Sequence, residues 1–280
     1  MRIAAAILIV VFMVSTSPGE DTSPGARHAF FAFDNGVGRD TWSPEEQARV
    51  LKEAGYDGIG YTGFEDLAAR RAAFAAQGLT IFNLYVGCNI DVEPVYDPAW
   101  NEAIASLKGS GIALWLTIQG GTPGQDDERA AAAVREIAGL AAGAGIQVAL
   151  YPHHGFYVAD LDDAMRVAGH VDLENVGVTF NLCHELRAGN EARFDEILEK
   201  AAPRLFFVSI NGADHEGDWD RLIQPLGRGA FDVFSVLKKL DGLGYRGPIG
   251  LQCYNVPGEP RANLAESIAA WRGYVARLKP

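Results

Sequence analysis

Eight short apolar runs alternate with longer segments rich in Ala, Leu, Glu and Arg, repeating at roughly 30 residues from residue 29 onward. This alternation constrains the fold more than any other feature of the chain. The apolar runs lie at 29–34, 58–61, 80–85, 112–118, 147–151, 176–180, 205–210 and 249–252. They are continuous rather than alternating apolar with polar, as strands covered on both faces need to be. The segments between them carry the helical period, at 44–54, 64–77, 99–110, 126–144, 161–168, 190–201, 230–240 and 261–278. Parallel neighbouring strands need a crossover of a dozen or more residues, usually a helix. Eight such βα units closing on themselves predict a single (β/α)8 TIM barrel, a fold of about 250 residues. An open doubly wound sheet is the alternative. No G-x-G-x-x-G follows the first strand, so a dinucleotide-binding version of that sheet has little support.

Local punctuation agrees with the period. Ser43-Pro44 with Glu46 reads as a capping box with proline in the first turn. Three helix ends run into Gly55, Gly78 and Gly244, each followed closely by a strand. No linker or composition break divides residues 27–280, which are read as one barrel domain. Residues 1–26 read differently. Met1-Arg2 precedes an apolar run over 3–14, too short to span a bilayer, and residues 15–26 are rich in Ser, Thr, Pro and Gly. This pattern predicts a signal peptide and linker, hence export to the periplasm or the extracellular space. Cys88, Cys183 and Cys253 are too few for a disulfide framework and read as reduced thiols.

A TIM barrel carries its chemistry at the C-terminal ends of its strands. In order, those ends offer Asp34 and Asn35, Tyr61, Tyr85 and Asn89, Gln119, then Tyr151, His153 and His154. The later ends offer Asn181 and His184, then Ser209, Asn211, Asp214 and His215, then Gln252 and Tyr254. Four of the six histidines fall in this set. The catalytic candidates are His153, His184 and His154, because imidazole titrates near neutral pH. The substrate-binding candidates are Tyr151, Asn181, Asn211, His215, Gln252 and Tyr254. Trp115 and Trp219 read as packing residues rather than sugar platforms. Lys and Arg are sparse at the strand ends, and the lone Gly227-Arg228-Gly229 is weak evidence for phosphate. The chain has 24 Lys and Arg against 36 Asp and Glu, a net charge of −12. That balance excludes a nucleic-acid backbone or an anionic membrane surface as partner. A small neutral molecule fits better, and the oligomeric state stays open.

Four phrases add a resemblance: Ala149-Leu150-Tyr151-Pro152-His153, Val178-Thr179-Phe180-Asn181-Leu182-Cys183-His184-Glu185, Leu226-Gly227-Arg228-Gly229 and Gly244-Tyr245-Arg246-Gly247-Pro248-Ile249. In order and spacing the chain resembles the xylose isomerase-like TIM barrels, which include sugar isomerases and epimerases. The resemblance implies proton transfer next to a sugar carbonyl through an enediolate, on a divalent metal held by Glu, Asp, His and Glu. Here those positions read Tyr151, Asn181, Ser209 and Gln252. Hard divalent cations want anionic oxygen, so the expectation is no metal and no other cofactor. A different metal site using His153, His154 or His184 stays open, since neutral imidazoles bind metals readily. Where the resemblance expects a substrate-contacting histidine stands His184, and His215 stands where an arginine often follows the seventh strand.

Three functions follow as expectations. The first is an isomerase or epimerase acting on a non-phosphorylated sugar. The second is a 3-keto-glycoside lyase, in which proton loss at C2 expels the group at C1. The third is a barrel that binds a sugar without turning it over. In the first two, Asn181, Asn211 or Gln252 would donate to the developing oxyanion.

Overall fold

The computed structural model describes residues 28–278; the sequence's expected leader, residues 1–26, lies outside them. Eight parallel strands form one closed barrel in sequence order. They are β1 Phe30–Phe33, β2 Gly58–Thr62, β3 Thr80–Asn89, β4 Ala113–Gln119, β5 Val148–Leu150, β6 Val176–Asn181, β7 Leu205–Ile210 and β8 Ile249–Leu251. Closure is made by β1 against β8, with Phe31 opposite Gly250. The helices are α1 Pro44–Ala54, α2 Leu67–Ala76, α3 Trp100–Ser106, α4 Asp127–Ala144, α5 Leu161–Val171, α6 Leu182–Arg187, α7 Phe194–Ala201, α8 Trp219–Leu222, α9 Val233–Gly242 and α10 Pro260–Leu278.

The two faces of each strand explain the continuous apolar runs. Phe30, Ala32, Ile59, Leu84, Leu114 and their counterparts pack outward under the helices. Phe31, Phe33, Ala113, Trp115, Ala149, Tyr151 and Phe207 point into the barrel and form a second, smaller core. Aromatic rings fill this interior, and glycine makes room for them. A Cβ on Gly250 would sit 2.6 Å from Phe33 and 2.8 Å from Phe31. The indole of Trp115 lies 4.9 Å from the Phe33 ring and 4.9 Å from that of Tyr151, centroid to centroid. Offset and edge contacts of this kind add about 0.5–1.5 kcal/mol per pair beyond burial.

Caps behave as their residues dictate. Ser43 accepts the Glu46 amide proton at 3.3 Å, and Gly55 ends α1 in the left-handed region at φ 95°. Three expectations need revision. β3 runs on to Asn89 because Cys88 and Asn89 still pair with Ile118 and Gln119 of β4. The sixth crossover contains α6 directly after β6 as well as α7. The short α8 was not expected; four residues are too few to show a helical period. Cys88, Cys183 and Cys253 are free and buried, and burial pushes the thiols of Cys88 and Cys253 up to about 12.

Candidate functional site

The strand ends open into a cavity of about 430 Å³. Its floor is aromatic, made by Phe33, Tyr61, Tyr85, Trp115 and Tyr151, and Trp219 of α8 forms part of one side. Two buried donors, Asn83 Nδ2 and Trp115 Nε1, reach this floor with no protein partner. Buried donors left unpaired cost about 1–3 kcal/mol each, so the floor is suited to a ligand rich in acceptors.

Six of the nine proposed site residues line this cavity: Tyr151, His153, His154, His184, Gln252 and Tyr254. The other three are held elsewhere. Asn181 is fully buried below the wall; its Nδ2 donates to Pro152 O at 3.4 Å and its Oδ1 accepts from Cys183 Sγ. Asn211 donates to Gly212 O and Leu222 O at 2.8 and 2.6 Å, tying the β7 end to α8. His215 is drawn outward to Glu191, its Nδ1 2.8 Å from Oε1, with 55% of its side chain exposed. In each case a strand-end position is right for the mouth, but a nearer protein partner claims the side chain.

One charged strand-end residue, Asp34, lies at the mouth and is met there by an arginine that the sequence did not point to. Asp34 follows β1 with its carboxylate almost wholly buried, and Arg39 from the next loop reaches back to it. Thr62 completes the group: its backbone N–H donates to Asp34 Oδ2 at 3.0 Å, and its hydroxyl lies 2.6 Å from the Arg39 guanidinium. Asp34 and Arg39 both line the cavity, so the wall holds one ion pair and no net charge from it. Asn83 was missed as well, although a lone Asn inside the apolar run of β3 was a visible signal.

The histidines are arranged around the backbone of one residue, His154. His154 N–H donates to His184 Nδ1 at 3.0 Å, and His154 O lies 3.1 Å from His153 Nδ1. A carbonyl only accepts, so the neutral His153 ring carries its proton on Nδ1 and leaves Nε2 as a free acceptor. An N–H only donates, so His184 Nδ1 is bare and its proton sits on Nε2. The rings are 4.4 Å apart, centroid to centroid. Burial holds both below the usual imidazole pKa, His184 well below, with each neighbouring imidazole pushing His184 further down. Two neutral imidazoles of opposite tautomer therefore face one cavity, one an acceptor and one a donor. The His154 ring itself is exposed, 6.2 Å from Trp219.

The four positions where related barrels would hold a metal do not suit one. Burial keeps the Tyr151 phenol well above its usual pKa and therefore un-ionised. Gln252 Oε1 already accepts from Asn35 Nδ2, Cys253 N and Tyr254 N at 2.8–2.9 Å, which turns Nε2 toward the Tyr151 hydroxyl. Asn181 is bonded as described, and Ser209 offers a buried neutral hydroxyl. The set supplies no anionic oxygen, which hard cations require.

An eight-stranded parallel barrel alternating with helices, its polar groups gathered at one mouth, defines a single (β/α)8 TIM barrel. Residues 48–274 match the xylose isomerase-like TIM barrel family, and the chain belongs to it. The 3-keto-D-glucoside 4-epimerase YcjR from E. coli superposes with a TM-score of 0.71 at 18% identity, covering 88% of this chain and 98% of that one. D-psicose 3-epimerase from Clostridium cellulolyticum H10 gives 0.69 at 15% identity, covering 90% and 100%. At these identities the likeness is one of fold. The uncharacterized protein MJ1311 of Methanocaldococcus jannaschii is 28% identical over 95 residues, which spans 34% of this chain and 31% of that relative.

Proposed function

We propose that this protein is a metal-independent, carbohydrate-active enzyme of the sugar isomerase or epimerase type, acting on a non-phosphorylated sugar. The observation that carries the reading is the pair of opposite tautomers. His153 Nε2 takes a proton from the carbon beside the sugar carbonyl; the C–H bonding pair becomes the C=C bond of the enediolate, and the carbonyl π pair moves onto the carbonyl oxygen. His184 Nε2–H donates to that oxygen as it becomes an enediolate. The His153 imidazolium, whose proton exchanges with solvent, then delivers a proton to the former carbonyl carbon. His184 Nε2 gives its proton to the enediolate oxygen and takes that of the neighbouring hydroxyl, so that the carbonyl re-forms on the adjacent carbon. Neighbours that are sugar epimerases by name support the substrate class. The Asp34–Arg39 pair supports a neutral substrate, since the arginine's charge is already met. Export follows from the apolar run at 3–14 and belongs to the same proposal.

The test is solvent exchange. Incubation in D2O with a panel of ketoses and 3-keto-glycosides should label the carbon next to the carbonyl, read by NMR. Release of the C1 group in the same samples would reassign the reaction to β-elimination. Binding without exchange or release would reduce the barrel to a sugar-binding protein and overturn the proposal.

A further inference from the structure

A second cavity of about 330 Å³ adjoins the first, on the side where β1 meets β8. Small-molecule sites run from about 300 to 1,000 Å³, so each cavity alone is of ligand size. Four residues, Asn35, Arg39, Gln252 and Tyr254, line both. The partition is thin: Asn35 Nδ2 bonded to Gln252 Oε1, with the Tyr254 ring, 54% exposed, beside it. Asn35 Oδ1 is buried in this partition without a partner.

The linings differ in kind. The first cavity is aromatic with three histidines. The second is walled by the amides of Asn35, Gln224, Gln252, Asn255 and Asn263. The amide nitrogens of Gln224 and Asn263 are held by Arg221 O and Pro257 O, which leaves the amide oxygens of Asn35, Gln224 and Asn263 as acceptors for the hydroxyls of a sugar. A broader groove on the opposite side meets the first cavity only at Thr62 and Tyr85, and it carries Glu65 and Asp97 beside Phe64 and Trp100. It lacks the shared wall and the amide lining.

We propose that the second cavity is a subsite for a second sugar unit, so that the enzyme takes a disaccharide-type glycoside with its reacting ring over His153 and His184 and its second ring among the amides. This rests on the reading of the first cavity as a sugar site. Isothermal titration with maltose, cellobiose, lactulose and maltulose, against glucose, galactose and fructose, tests it. At least one disaccharide should bind tenfold or more tightly than either of its own monosaccharides. Val256→Trp and, separately, Val256→Phe fill the second cavity from a residue that lines only that cavity and is not one of its amides. Each should remove the disaccharide advantage and leave monosaccharide affinity unchanged, with circular dichroism confirming the fold. Equal affinity for disaccharides and monosaccharides, no binding by any of them, or an advantage that survives both blocking variants would overturn the subsite. Deuterium exchange without the advantage removes the subsite alone; the advantage without exchange removes the reaction alone.

Discussion

At the scale of residues, His153 and His184 look interchangeable in sequence and are opposite in chemistry. The difference is set by the backbone of His154, which offers its N–H to one ring and its C=O to the other. Glutamine can replace a donating Nε2–H but cannot take up a proton. His184→Gln should therefore keep part of the exchange rate, while His184→Ala loses about 10²–10³-fold, the cost of removing one oxyanion donor. His153→Gln and His153→Ala should be equally poor, each down by about 10²–10⁴-fold. Rescue at 153 by glutamine would reverse the assignment. The pH profile gives a second check. A base works unprotonated, and burial lowers the His153 pKa from 6.5. The acid limb of the rate should have its midpoint below pH 6.5; a midpoint at or above 6.5 would name another base.

At the scale of elements, α6 is the piece that the sequence showed least and that the site needs most. It starts directly after β6 and carries His184 into the wall and Glu185 away from it. Glu185 is wholly buried; Oε1 accepts the Leu161 amide proton at 2.6 Å, at the first turn of α5, and Oε2 accepts from Asn190 at 2.9 Å. Burial, aided by the Asp160 carboxylate, pushes its pKa up to about 8 despite these donors. The folded state then holds a proton that the unfolded state releases near 4.5, so this contribution to stability is full below that value and is lost as pH rises through about 8. Glu185→Ala should cost about 1–3 kcal/mol in urea unfolding, the usual penalty for stranding buried partners. Glu185→Gln should flatten the decline between pH 5 and 8; an unchanged slope would place its origin elsewhere. The strands were legible because eight buried runs have a composition of their own. Helices of four or six residues, such as α8 and α6, have no period to read. Arg39 was illegible for a related reason, since its loop position gives no hint that its side chain turns back to Asp34. Asn181, Asn211 and His215 sit where strand-end residues should, and only the neighbouring Pro152, Leu222 and Glu191 decide that they leave the mouth.

At the scale of the whole molecule, a charge of −12 surrounds a site whose ion pair is internally balanced. The acidity is spread over the outer helices, much of it in exposed pairs such as Arg193–Asp162 and Lys239–Glu199. Such a surface draws cations loosely, so weak metal uptake would not reveal a site. Stability separates the two cases. A cation bound at one site, supplied at about 100 times its Kd, adds about 2.7 kcal/mol to folding. In a domain of this size that raises Tm by roughly 5–10 °C, in steps that follow the logarithm of its concentration. Diffuse association gives no such saturable shift. The neutral set of Tyr151, Asn181, Ser209 and Gln252, with the Gln252 oxygen already bonded three times, predicts that neither Tm nor the exchange rate changes after chelation with EDTA. Readdition of Mg, Mn, Co or Zn to the chelated protein should leave both where they were. A saturable rise in Tm with any one of them, removed by His153→Ala or His184→Ala, would establish a metal site on the imidazoles and overturn the metal-independent mechanism.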